Sequence, residues 1–215
     1  NIMPDLNLGM AVKALGQNYF VNVGCPVNLS KVDRRKKLSH KFDLTEKEHF
    51  HDFIELVIIV NGQGKQVLEG NEYNVTAGDV FVLQGHPRHY FKDASSVEIV
   101  NLMFDGLNNP DIITDKVMQM EGYKALFILE PRYRSKHHFK NMLRLTRDEL
   151  ATIELILNTM FYEQEQKNDG YEIILVNRLE ELIILLSRHY SRIKTTKAKT
   201  LVRIGQVIDF IENKY

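Results

Sequence analysis

The chain has 215 residues, enough for one sizeable domain or two small ones with a proper core. Apolar residues make up 44% and charged residues 26%, and no stretch reaches the ~18 apolar residues that a membrane span needs. Lys and Arg (28) balance Asp and Glu (28), so a global electrostatic drive toward nucleic acid is excluded; any DNA contact must come from a local patch or from sequence outside these residues. The one cysteine, Cys25, admits no intrachain disulfide, which points to a reducing compartment. The opening Asn1-Ile2-Met3-Pro4 lacks the basic and apolar regions of a signal peptide, and the expected location is the cytoplasm.

Residues 1–35 are expected to form an N-terminal arm. At its end, Arg34-Arg35-Lys36-Lys37 invites a nucleic-acid reading, but such a run is more often a solvated loop, and His40 is expected at the surface. From there to about residue 135, short apolar runs alternate with turn signals. Phe53 to Val60 is β-branched and apolar, and Asn61-Gly62-Gln63-Gly64 breaks it as a hairpin would. Lys65 to Leu68, Tyr73 to Thr76, Val80 to Gln84 and Val97 to Phe104 follow as strands, separated by Gly70-Asn71 and Ala77-Gly78-Asp79. Closely spaced strands with short turns predict a barrel or sandwich.

Beyond residue 135 the period becomes helical. Thr146-Arg147-Asp148-Glu149 is a capping-box pattern, followed by Leu150, Ile153, Leu157 and Met160 at helical spacing. The pattern predicts a stop near Asn168-Asp169-Gly170, with glycine as a left-handed cap. A second helix, from about Tyr171 to Tyr190, carries Ile174, Leu175, Leu179, Leu182, Ile183 and Leu186 around much of its circumference. A helix that apolar is buried on more than one side, and a second subunit is the expected cover for Leu175, Leu179, Leu182, Ile183 and Leu186. Arg188, Arg192, Lys194, Lys197 and Lys199 then run without an acidic residue, as a basic linker over 192–200 or as a solvated helix end. Leu201 to Tyr215 is a third amphipathic helix, with Leu201, Ile204, Val207 and Ile211 on one stripe. A lone helix cannot bury such a stripe, so the parent protein is expected to continue.

The most specific local signal is His49-Phe50-His51-Asp52-Phe53-Ile54-Glu55. Strand alternation puts His49, His51, Phe53 and Glu55 on one face, and His89 arrives just after a later strand. Two His and a Glu from one strand plus a His from another could hold zinc, iron, manganese or nickel. The same four could line a polar ligand pocket, or be satisfied structural groups. Asn101, on an otherwise apolar strand face, must find partners if buried and is a further pocket candidate. Phe91 shares a face with His89 and could stack on a ring, with an apolar core role as the competitor. His137 and His138 are expected at the surface. No phosphate loop, serine nucleophile elbow or Cys-x-x-Cys pair is present.

His-x-His-x3-Glu-x6-Gly, ending at Gly62, then Gly78-Asp79 and His89, resembles the two cupin motifs. It departs from them at Gln84-Gly85-His86-Pro87, where cupins carry a Pro-x-Gly turn. The run from His51-Asp52-Phe53 through Glu55-Leu56-Val57, Gly62-Gln63-Gly64, Gly78-Asp79-Val80-Phe81 and His89-Tyr90 to Asn101-Leu102-x-Phe104 resembles the sensor domain of AraC-type transcription regulators. Gly122 to Pro131 is similar to the rhamnose-operon subgroup, and Arg203 to Tyr215 to the first helix of the family's DNA-binding domain.

The resemblance implies an α+β fold: an N-terminal cupin (double-stranded β-helix, jelly-roll) barrel over 36–135, then an antiparallel helical dimerisation unit over 136–191. After the linker, 201–215 would be the truncated start of a DNA-binding domain. It implies a non-enzymatic homodimer that senses a small effector, a sugar such as rhamnose, through His49, His51, Glu55, His89, Phe91 and Asn101. DNA would be bound only through the missing helix-turn-helix domain, and no membrane contact is implied. No cofactor is expected, although a divalent metal on His49, His51, Glu55 and His89 stays open. The rival expectation is a metal-dependent cupin enzyme, a dioxygenase or sugar isomerase.

Overall fold

The computed structural model describes residues 11–20, 24–33, 36, 45–106, 108–137, 143–193 and 195–214. The first ten residues of the expected arm, and Arg34, Arg35, Lys37, His40, His138 and Lys194, lie outside them. The strands are β1 (Val12–Ala14), β2 (Val27–Asp33), β3 (His49–His51), β4 (Ile54–Asn61) and β5 (Gln63–Leu68), then β6 (Asn71–Thr76), β7 (Asp79–Leu83), β8 (His89–Lys92), β9 (Glu98–Phe104) and β10 (Leu143–Arg144). They form two five-stranded sheets, ordered β1-β3-β8-β5-β6 and β10-β7-β4-β9-β2. All pairs are antiparallel except β1 with β3. Together with the helices this is a mixed α and β architecture consistent with a cupin-like β-sandwich.

Alternation explains how the second sheet is covered twice. On β4 and β9, Leu56, Ile58, Val100 and Leu102 join the core that reaches the helices, while Val57, Ile59 and Ile99 join Leu68, Tyr73 and Phe91 of the first sheet. A strand buried on both faces reads as the continuous apolar run seen at Phe53 to Val60. Gly62 makes the tight β4–β5 turn with φ +80, and a Cβ there would stand 1.7 Å from the Ser96 carbonyl oxygen, so only glycine fits. At the far edge, buried Asp79 takes a bidentate contact from Arg144, which fastens β10 to β7. At the other edge, the Gln164 amide accepts from the Leu29 N–H and donates to its carbonyl, occupying β2 as a further strand would.

The helices are α1 (Asp115–Met118), α2 (Glu121–Tyr123), α3 (Glu130–His137), α4 (Arg147–Gln166), α5 (Tyr171–Ser191) and α6 (Thr196–Lys214), with a π-helical turn, Lys124–Leu129, between α2 and α3. Thr146 caps α4 in a complete capping box with Glu149. The helix stops earlier than its sequence suggests. Lys167 takes the left-handed conformation (φ 50) and caps it, whereas Gly170 (φ 82) opens α5.

Two expectations for the helices need correction. Leu175, Leu179, Leu182, Ile183 and Leu186 are fully buried inside the chain and offer nothing to a second subunit. Their helix is surrounded by α2, α4, α6, the π-turn and β2, which accounts for its apolar circumference. On these two helices the exposed apolar side chains are instead Leu155 (70%) and Tyr162 on α4 and Ile173 (67%) and Ile174 on α5. The second correction concerns α6, which begins inside the expected linker and is not a lone helix. Ala198 and Leu201 are buried, and Gln206 donates to Glu121 at 2.7 Å. The rest of its stripe, Ile204, Val207, Phe210 and Ile211, is exposed.

Candidate functional site

The sequence predicts one strand from His49 to Glu55; the chain instead changes sheet within it. β3 ends at His51 in the first sheet and β4 starts at Ile54 in the second. Asp52 and Phe53 make the crossing. Asp52 accepts the Gly16 N–H at 2.8 Å, and His51 Nδ1 donates to the Phe53 carbonyl at 2.8 Å. The crossing folds Glu55 back toward the histidines, so the set meets between the sheets rather than along one strand face. β8 completes it: His49 and His89 are in register on neighbouring strands, with ring centroids 4.2 Å apart.

All four side chains are buried. Glu55 Oε2 lies 3.1 Å from His51 Nε2 and 3.3 Å from His89 Nε2, the second outside hydrogen-bond alignment. Each histidine has its Nδ1 on a backbone carbonyl: His49 on Lys47 (2.7 Å), His51 on Phe53 and His89 on Pro87 (2.9 Å). A carbonyl only accepts, so Nδ1 carries the proton and Nε2 is the atom each histidine turns inward. A neutral Nε2 and a carboxylate oxygen are both acceptors, so the 3.1 Å His51–Glu55 contact needs a proton between them. Burial holds the His49 pKa down to about 4, reinforced by His89, and keeps its imidazole neutral. Burial alone would raise Glu55, but the hydrogen bond to His51 and the close approach of His51 and His89 hold it well below the usual carboxylate range.

The ligand atoms of His49, Glu55 and His89 all lie within 4.8 Å of one another. Imidazole nitrogen and carboxylate oxygen are both divalent-metal ligands, so the three could hold one ion, with His51 bracing Glu55 from outside.

The other two expected site residues lie one row along the strands. Phe91 is buried between the sheets, in register with Gln66 of β5. Asn101 is half-buried on β9, in register with Val57 on one side and Ser30 on the other. Ser30 and Gln66 are both buried, and sequence reasoning missed them. Alternation with Leu68 would have found Gln66 by the same reasoning that found Asn101. Four buried atoms of this row, Ser30 Oγ, Gln66 Oε1, Gln66 Nε2 and Asn101 Oδ1, have no hydrogen-bond partner among the described residues. Each such group costs about 1–3 kcal/mol unless water or a ligand satisfies it.

Residues 42–112 match the family model of the AraC-like ligand binding domain. The HTH-type transcriptional activator RhaR of Yersinia pestis bv. Antiqua is 28% identical over 165 residues, 76% of this chain and 51% of that protein. The HTH-type transcriptional activator RhaS of Escherichia coli O1:K1 / APEC is 24% identical over 176 residues, 78% of this chain and 56% of that protein. The chain thus spans about half the length of the curated relatives it matches. Among solved structures, the AraC-like transcriptional activator CuxR aligns with 76% of this chain and 49% of its own, at 11% identity and a TM-score of 0.40.

Proposed function

From a chain that carries an AraC-like ligand-binding domain and is related to the activators RhaR and RhaS, we propose the effector-sensing and dimerisation part of a bacterial AraC-type transcription regulator. The effector is a sugar such as rhamnose, as the resemblance to rhamnose-operon regulators implies. The observation that carries this is that Gln66, paired with Phe91 two residues from His89, and Asn101 and Ser30, paired with Val57 and each other two residues along from Glu55, leave buried polar atoms with no hydrogen-bond partner among the described residues. Sugar hydroxyls both donate and accept. They can satisfy the Asn101 and Gln66 carbonyl oxygens and the Gln66 amide together, while Phe91 packs on the ring. The effector acts by binding one arrangement of the sensor better than another, since only differential affinity moves an equilibrium.

The homodimer belongs to the same proposal. With the α5 leucines inside the chain, a partner would cover Leu155, Tyr162 and Ile173. Pairing two DNA-binding domains, supplied by sequence beyond this chain, would raise DNA affinity through effective concentration. Sedimentation at several concentrations tests this, and a monomer throughout would count against it.

Thermal shift against a panel of monosaccharides, with 6-deoxyhexoses included, tests the sensor. A true effector at 100 times its dissociation constant stabilises by about 2.7 kcal/mol. The response is expected to vanish in Gln66→Met. No response from any sugar would sink the sugar proposal.

The grouping of His49, Glu55 and His89, with ligand atoms within 4.8 Å of one another, supports a metallated form as a second reading. Stoichiometric iron, manganese or nickel in the purified protein, lost on His49→Ala, would establish it. The relatives are transcriptional activators, so the enzyme alternative is not favoured.

A further inference from the structure

A cleft of about 380 Å³ lies between the β7–β8 turn and α3, lined by none of His49, His51, Glu55 and His89. Leu68, Val82, Leu83, Ile128 and Pro131 give it an apolar wall. Two arginines from α3 also line it. Arg134 is 1% exposed, with Nε and Nη2 on the Glu130 carboxylate, Nη2 also on the Val82 carbonyl, and its guanidinium over the Phe81 ring. That leaves Nη1 buried with no partner among the described residues. Arg132 is exposed at the rim. The opposite wall holds His86 in the left-handed conformation (φ 66), directly after Gly85 (φ 83). A non-glycine residue there is strained, and such strain concentrates at binding sites. This wall is the Gln84-Gly85-His86-Pro87 segment where the sequence departs from the cupin pattern.

We propose that this cleft is a second ligand site, taking a small carboxylate with a short apolar body. Glu130 balances the charge of Arg134, and Glu69 on the far rim is engaged by the Arg88 N–H at 2.5 Å. The cation left over in the lining is Arg132, and the donor left over is Arg134 Nη1. A carboxylate uses both, one oxygen accepting from Nη1 and the other facing Arg132, since guanidinium and carboxylate match in geometry and charge. The apolar wall takes the remainder of the molecule. The site is independent of the sugar proposed for the cluster between the sheets.

Ligand-observed NMR and calorimetry on the full chain, at constant ionic strength, would test this with butyrate and benzoate against butanol and benzyl alcohol. Saturable binding of the acids at least tenfold tighter than of the alcohols is expected. Arg132→Gln, an exposed change that leaves the fold alone, is expected to weaken the acids about fivefold and leave the alcohols unchanged. The paired change Glu130→Met with Arg134→Met, which removes both buried charges at once, is expected to abolish the acid preference. Equal binding of acids and alcohols, no saturable acid binding, or acid binding unchanged in Arg132→Gln would each overturn the proposal. Sugar-induced stabilisation measured on the same samples is expected to be unaffected, so the two sites can fail separately.

Discussion

The second sheet has two buried faces with different composition. Toward the helices, Leu56, Ile58, Val100 and Leu102 pack into a continuous apolar core with Ile153, Leu157, Leu179 and Leu182. Toward the first sheet, one residue out of step along the same strands, Glu55, Asn101 and Ser30 interrupt Val57, Ile59 and Ile99. Apolar burial at about 25 cal/mol per Å² favours the first face without condition. The second accepts buried polar atoms whose cost is recovered only when something binds them. Strand alternation thus separates holding the fold from recognising a ligand, with both tasks on shared backbone.

The largest expected effect lies on the helix side. Leu182→Ala should cost about 2–5 kcal/mol in denaturant unfolding, by lost transfer energy and a residual cavity, and leave sugar affinity unchanged where the protein is folded. An altered affinity would break the separation of the faces. Next comes pH. The native pKa of His49 is about 4 against an ordinary value of 6.5. Between these values the unfolded chain holds a proton that the native state lacks, so stability falls as pH drops from about 6.5 toward 4. The gap is worth on the order of 3 kcal/mol. His49→Phe should flatten that slope in a series of melts; an unchanged slope would locate the acid sensitivity elsewhere. A smaller effect is expected from Thr146→Ala, which removes the α4 cap for about 1 kcal/mol and should not touch binding. The smallest, and the sharpest in sign, is Gln66→Met. Exchanging two orphaned polar atoms for an apolar chain of similar volume should leave stability within about 1 kcal/mol, tending upward, while removing the sugar response. A large loss of stability would mean that Gln66 is held by partners in the native protein.

The strands were legible because turn residues bracket them, and the histidine set because its spacing survives any local bend. What sequence could not supply was the bend itself. Alternation runs formally unbroken from His49 to Glu55, and only the Asp52 contact to the Gly16 N–H and the His51 contact to the Phe53 carbonyl reveal that the chain changes sheet. Periodicity on α5 reported correctly that Leu175, Leu179 and Leu182 are buried, but it carries no information about what buries them. The π-turn at Lys124–Leu129 has no signature of its own, since it shares residue preferences with the α-helices on either side. Gln66 was missed because a glutamine beside Lys65 reads as solvent-facing until the pairing with Phe91 fixes its side.

The contact between α2 and α5 has a mechanical consequence. Gly122 lies so near Ser187 that a Cβ would stand 1.9 Å from the serine carbonyl oxygen, so the two helices meet main chain to main chain. Contacts through leucine side chains absorb displacement by changing rotamer, acting as springs. This one has no such compliance. The residue before it, Glu121, holds Gln206 of α6. A shift of α5 is therefore delivered to α2 through a hard stop that a single added methyl group would jam, and it reaches α6 through the softer Glu121–Gln206 side-chain contact.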